Sequence, residues 1–197
     1  MPRDGRCRVT SPRPRCPTRV LVIGYGNALR TDDGVGWHAA RLLAGDPRLA
    51  DVVVVAEHQL APELAFDLSL ASLVVLLDAS TETPAGTVTV RPLAAAGGVA
   101  SGANNRPDSP GASRPSPGAT PGASSHHVGP ELLLALALEL YGAAPEAAVV
   151  SVGIAEMGPG EALTPRVAAA LPAVADAVAR LVAEHEAQMA GEAPELA

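Results

Sequence analysis

The stretch Arg19-Val20-Leu21-Val22-Ile23-Gly24-Tyr25-Gly26-Asn27-Ala28-Leu29-Arg30-Thr31-Asp32-Asp33-Gly34-Val35-Gly36 decides the fold. Its first five residues form a short, β-branched apolar run bounded by glycine, which predicts a buried strand. The run Trp37-His38-Ala39-Ala40-Arg41-Leu42-Leu43 follows with a helical pattern, so the residues between are a strand-to-helix loop with glycines where the backbone turns tightly. In a doubly wound sheet such loops lie at the carboxyl ends of the strands, where ligands bind beside the point at which strand order reverses. Asp32 and Asp33 are thereby placed at the expected active edge, and only one of two adjacent carboxylates readily faces the same way as its neighbours.

A dinucleotide fingerprint would need G-x-G-x-x-G and a helix N-terminus free to receive pyrophosphate. Leu29 stands at the third glycine position, and the two acids would repel a phosphate, so nucleotide binding is disfavoured. Aspartates beside a helix start also serve as caps that offset the helix dipole, a structural reading that stays open for both.

The chain continues in alternation. Asp51–Ala56 reads as a strand covered on both faces, Pro62 opens a helix at its first position, and Ser72–Leu77 is a third buried strand leading into Asp78-Ala79-Ser80. Thr87–Arg91 reads as a fourth strand, at an edge. From Leu93 to Ser125 the composition falls to Ala, Gly, Ser, Pro and Asn, which cannot bury enough apolar surface to offset ordering entropy, so a disordered insertion is expected. Pro130 opens an apolar helix to Tyr141, Ala147–Val152 is the last strand, and the segment from Thr164 carries apolar residues at helical spacing, with Pro172 expected to kink or restart it. The expected fold class is α/β: a three-layer sandwich with a twisted, mostly parallel sheet of about five strands and helices on both faces. The expected organisation is a disordered basic leader at 1–18, one α/β domain at 19–189 with the insertion at 93–125, and a flexible C-terminus at 190–197.

Charge and composition narrow the function. The chain has 197 residues, no lysine, and a formal net charge of −7; its first 19 residues carry about +5 and the remainder about −12. So acidic a body argues against nucleic acid as a partner. Cys7 and Cys16, the only cysteines, have neither zinc-knuckle nor redox spacing. No apolar core of about seven residues follows the N-terminal arginines, and no run is long enough to span a bilayer, so a cytoplasmic protein without membrane contact is expected. No oligomer seam is patterned on the surface, and a monomer is expected.

Asp33, Asp78 and His126 fall at equivalent places, each at the carboxyl edge of the expected sheet or in the loop before a helix. Two carboxylates and an imidazole suit a borderline divalent ion such as nickel, zinc or manganese, with positions left open for water or substrate. His127 leaves the histidine open by one position. No G-x-S-x-G elbow, H-E-x-x-H helix or Cys-His pairing is present, so serine, classical zinc and cysteine hydrolase chemistries lack their parts.

The pattern Gly24-x-Gly26-Asn27-x-Leu29-x-x-Asp32-Asp33-Gly34-x-Gly36, with Asp78-Ala79, His126-x-x-Gly129 and Gly160-Glu161-x-Leu163-Thr164-Pro165, resembles the hydrogenase maturation proteases. These are nickel-dependent endopeptidases that trim the C-terminus of the nickel-iron hydrogenase large subunit. The likeness runs from about Arg19 to about Glu184; Glu57-His58-Gln59 departs from it, standing where some members have Asp-Gly-Gly after the second strand. The resemblance implies that Asp33, Asp78 and His126 are the metal-binding and catalytic residues. It implies removal of the C-terminal extension of the large-subunit precursor after nickel insertion, with nickel carried by the precursor and no organic cofactor. The competing expectations are a non-hydrolytic nickel-sensing chaperone, or a degenerate nucleotide-binding module with Glu57 on a ribose.

Overall fold

The computed structural model describes residues 19–94 and 128–191. The leader at 1–18, most of the expected insertion, the histidines at 126 and 127, and residues 192–197 lie outside the described residues.

Five strands, β1 (Val20–Tyr25), β2 (Val53–Glu57), β3 (Leu73–Ser80), β4 (Val88–Leu93) and β5 (Glu146–Gly153), form one sheet in the order β2-β1-β3-β5-β4. All neighbours are parallel except β4, which runs antiparallel to β5 at the edge. Edge placement explains Pro92 inside β4, since an edge strand can leave one side of its backbone unpaired. The strand also carries Leu93, which is buried, so order reaches past the point where low complexity begins.

Alternation within the strands divides the core. Leu21, Ile23, Val74, Leu76 and Val149 face one side and meet Ala65 and Leu68 of α2 (Leu64–Leu70) and Leu133, Leu134 and Ala137 of α3 (Pro130–Tyr141). Val20, Val22, Val75, Leu77 and Val150 face the other. There they meet α1 (Val35–Leu43), Val167 of the short α4 (Pro165–Ala168), and Val174, Val178 and Val182 of α5 (Leu171–Gly191). The result is the three-layer sandwich expected. Pro172 restarts the helix as foreseen: α4 ends at Ala168, and Pro172 occupies the first turn of α5, where its missing N–H has no intrahelical partner to lose.

Two glycines let α1 lie against the sheet. A side chain at Gly36 would overlap the carbonyl oxygens of Leu77 and Tyr25, and one at Gly24 would overlap the Gly36 carbonyl. The glycines of the first loop thus serve helix-to-strand contact.

Candidate active site

Strand order reverses between β1 and β3. The chain leaves β1 towards β2 on one side and returns to β3 on the other, so the loops beyond the two strands diverge and a crevice opens between them. The last β1–β3 pair is Gly24 with Leu77. Asp78 is the next residue on β3, half-buried, with its carboxylate accepting a hydrogen bond from the Ala79 amide at 2.8 Å. The strand runs on to Ser80, so Asp78 stands inside it, paired with Ser151 of β5.

Asp33 approaches from the other side. It belongs to a single 3-10 turn, Thr31–Gly34, that joins the glycine loop to α1. Gly26, at φ 138°, bends the chain beneath this turn, and any side chain there would overlap the Asp33 carbonyl. Asp33 and Asp78 both line a cavity of about 770 Å3, together with Tyr25, Arg30, His58 and Gln59 among others. Val128, Gly129 and Pro130 form part of its wall, and His126 precedes Val128 by two residues in the chain. The third expected ligand itself lies outside the described residues.

The electrostatics of the cavity centre on Asp78. Burial pushes its carboxyl up, and the Asp33 charge pushes it further; the Tyr25 hydroxyl, the Ala79 amide and Arg91 act against this without reversing it. The Tyr25 hydroxyl is buried beside Asp78 without a hydrogen bond of full geometry, and burial together with the Asp78 charge raises its pKa far above the ordinary phenol value. The cavity lining sets one guanidinium, Arg30, against the two carboxylates of Asp33 and Asp78, an excess of negative charge that a cation relieves.

Asp32 has a different fate. It is fully buried, and its carboxylate accepts from the Thr164 amide at 2.7 Å, the Thr164 hydroxyl at 3.0 Å, and the Glu156 and Ala155 amides at 3.2 and 3.3 Å. Burial alone would raise its pKa, but these four donors outweigh burial and hold it below the ordinary aspartate value. No helix is capped by its side chain. Asp32 instead ties the segment after β5 to the loop after β1. Thr31, at φ 44°, adds to the seam: its amide donates to the Gly160 carbonyl and its hydroxyl to the Gly158 carbonyl, both at 2.8 Å.

Glu57 ends β2 but does not line the cavity, whereas His58 and Gln59 do. His58 and Tyr25, like Arg30 and Gln59, are cavity residues that sequence reasoning did not name as site members. The departure at Glu57-His58-Gln59 was a signal for the first; nothing in the sequence pairs Tyr25 with Asp78.

Neither a protein-family model nor a curated protein sequence matches the chain. Solved structures do. The hydrogenase 2 maturation peptidase from a Thaumarchaeota archaeon superposes with a TM-score of 0.57 at 24% identity, over 84% of this chain and 99% of that one. The hydrogenase maturating endopeptidase HybD from E. coli gives a TM-score of 0.58 at 21% identity, over 85% and 93%. An endopeptidase from Escherichia coli gives 0.54 at 25% identity, over 82% and 90%.

The chain has the fold of the hydrogenase maturation proteases. The fold resembled in sequence is thus the fold adopted, and within it the glycine-loop acids and the β3 aspartate fall at one sheet edge. Among the described residues no cluster of three or more potential ligands could by itself hold a metal ion, and no helix is long and apolar enough to cross a membrane.

Proposed function

We propose that this protein is a cytoplasmic, monomeric endopeptidase that removes the C-terminal extension of a nickel-iron hydrogenase large-subunit precursor once nickel has been inserted. One observation carries the reading: Asp33, from the turn after β1, and Asp78, from near the carboxyl end of β3, line a single cavity at the switch point of a maturation-protease fold.

Two carboxylates make an incomplete coordination shell, which suits an ion that arrives with ligands of its own. Nickel is therefore substrate cargo, held by the precursor. Asp33 and Asp78 occupy its open positions, with His126 as the third donor. Burial and the Asp33 charge raise the Asp78 carboxyl, and a cation docked there acts in the opposite direction, favouring the ionised form. Bound nickel supplies Lewis acidity to polarise a carbonyl or activate a water. The chain's own contribution is placement: docking on the two carboxylates fixes the scissile peptide along the cavity wall and converts an encounter into an oriented attack.

Intact mass spectrometry of the large-subunit precursor from the same genome, incubated with this protein with and without nickel, provides the test. Loss of one discrete C-terminal peptide from the nickel-loaded form alone is the expected result. A precursor that stays intact in both forms while remaining bound would point instead to a chaperone. Unchanged processing by Asp33→Ala, Asp78→Ala and His126→Ala would remove the assignment of these residues.

A further inference from the structure

The alternation of the two central strands continues past the core and into the cavity. On β1, Leu21 and Ile23 face α2 and α3, and Tyr25 follows them on that face; on β3, Val74 and Leu76 do the same, and Asp78 follows. Gly24 pairs with Leu77, so Tyr25 and Asp78 are the next residues in register, side by side where the strands part. Beyond that point Tyr25 pairs with Glu57 of β2 and Asp78 with Ser151 of β5. The Tyr25 ring packs against the α2–α3 core, while its hydroxyl is buried and completes no hydrogen bond among the described residues. Phenylalanine would fill the same space without burying an unmatched O–H, so the hydroxyl costs stability where it stands.

We propose that Tyr25 is a positioning residue, whose hydroxyl donates to the Asp78 carboxylate when the precursor's nickel docks there and fixes the orientation in which that carboxylate meets the metal. The inference rests on the endopeptidase reading and deepens it. A phenol keeps its proton at neutral pH and has one hydrogen to give. The Ala79 amide already holds Asp78 Oδ1 at 2.8 Å, and the Tyr25 hydroxyl acts on the same carboxyl from the neighbouring strand. Arg91 of β4 acts on it as well, but its guanidinium is engaged by Glu131 at 2.9 Å. A carboxylate gripped by one amide alone can turn about that bond. Gripped by an amide and a hydroxyl, it presents one set of lone pairs to an arriving cation. Donors of this kind behind a ligating carboxylate change metal affinity or activity by about tenfold to a hundredfold when removed.

The test compares the full-length wild-type protein with Tyr25→Phe on the large-subunit precursor, nickel-loaded and nickel-free, reading melting temperature, precursor affinity and kcat/KM. Tyr25→Phe is expected to melt no lower than the wild-type protein and to bind the nickel-free precursor equally well. Towards the nickel-loaded precursor it is expected to lose about tenfold or more in affinity, with a parallel fall in kcat/KM. In an Asp78→Ala background the same substitution should change nickel-loaded binding by less than about twofold, because the hydroxyl acts only through that carboxylate. Nickel-loaded binding and processing unchanged in Tyr25→Phe overturn the proposal. So does equal weakening towards both precursors, a lowered melting temperature, or a loss repeated in full in the Asp78→Ala background, each of which marks the hydroxyl as a packing group. If the wild-type protein cleaves no precursor, the endopeptidase reading fails and the role of Tyr25 falls with it; if it cleaves and Tyr25→Phe matches it, the role of Tyr25 alone fails.

Discussion

Replacing Asp32 by alanine strands the Ala155, Glu156 and Thr164 amides and the Thr164 hydroxyl. Buried donors left unmatched cost more than the bonds themselves contribute, so a loss of about 3 kcal/mol is expected on urea denaturation at neutral pH. The pH dependence has a definite sign. Asp32 is held below its ordinary value in the folded chain, so on acidification the unfolded chain takes up the proton first. Its contribution is complete above the unfolded value of about 3.9 and disappears as pH falls through the folded one. The stability gap between the wild-type protein and Asp32→Asn should therefore shrink between neutral pH and strong acid. A gap independent of pH would show that the neutral amide is as well accommodated as the carboxylate.

Asp78 titrates in the opposite sense. Burial, with the Asp33 charge added, raises its carboxyl, so the folded chain keeps the proton longer and ionisation costs stability as pH rises above the unfolded value. Asp78→Asn keeps an oxygen for the Ala79 amide and removes the charge. Its melting temperature at neutral pH is expected to equal or exceed that of the wild-type protein while precursor processing is lost. A lower melting temperature would mean that the carboxylate is structural.

At the scale of elements, the position of α1 depends on the absence of a side chain at Gly36. Gly36→Ala puts a methyl group into the Leu77 and Tyr25 carbonyls and must push the helix off the sheet, at about 3 kcal/mol. The same displacement tilts the turn that carries Asp33, so activity should fall even where the variant remains folded, as circular dichroism and the mass assay together would reveal.

Helix α5 is fastened at the other end of the sheet. Its buried His185 bridges Glu146 at 2.9 Å through Nδ1 and the Ser72 hydroxyl at 3.0 Å through Nε2. The order of serine, histidine and acid imitates a hydrolytic triad. The neighbouring amides are already engaged, however: that of Ser72 with Arg19, of Glu146 with Ser72, and of Ala71 with Leu68. No oxyanion site is left at this cluster, which makes it a strut. His185→Ala should cost about 2 kcal/mol in denaturant and leave precursor processing intact in the folded fraction.

For the molecule as a whole, one sheet serves two cores. Val75 and Leu76 are neighbours on β3 that face opposite layers, and both are fully buried. Leu76→Ala, on the α2–α3 side, is expected to cost about 3 kcal/mol, and Val75→Ala, on the α1–α5 side, somewhat less. Both should shift a single unfolding transition, because neither layer keeps its apolar face covered without the sheet between them. Two separate transitions in either variant would show that the layers fold independently.

Much of this was legible in the chain itself. Short apolar runs at Val20, Leu73 and Ala147, alternating with helical spacing, determined the central strands and the parallel sheet, because a strand covered on both faces must be apolar throughout. The run at Val53 also forms a strand, but at the sheet edge, where Val53 is exposed rather than covered on both faces as expected. Proline fixed where α3 and α5 begin, since its ring suits a first helical turn and no later one. The loop acids and Asp78 were placed at the site edge by their positions after strands, which is local information. What only the tertiary structure decided is which acid does what. Local pattern does not separate Asp32 from Asp33, although the family resemblance pointed to Asp33, and the segment that claims Asp32 lies more than a hundred residues further on. Donors that distant leave no trace in local periodicity, and neither does the Tyr25 hydroxyl brought beside Asp78 across two strands. Pairing between strands and burial of charge are properties of the closed fold, and they turned one aspartate into a clamp and left its neighbour facing the cavity.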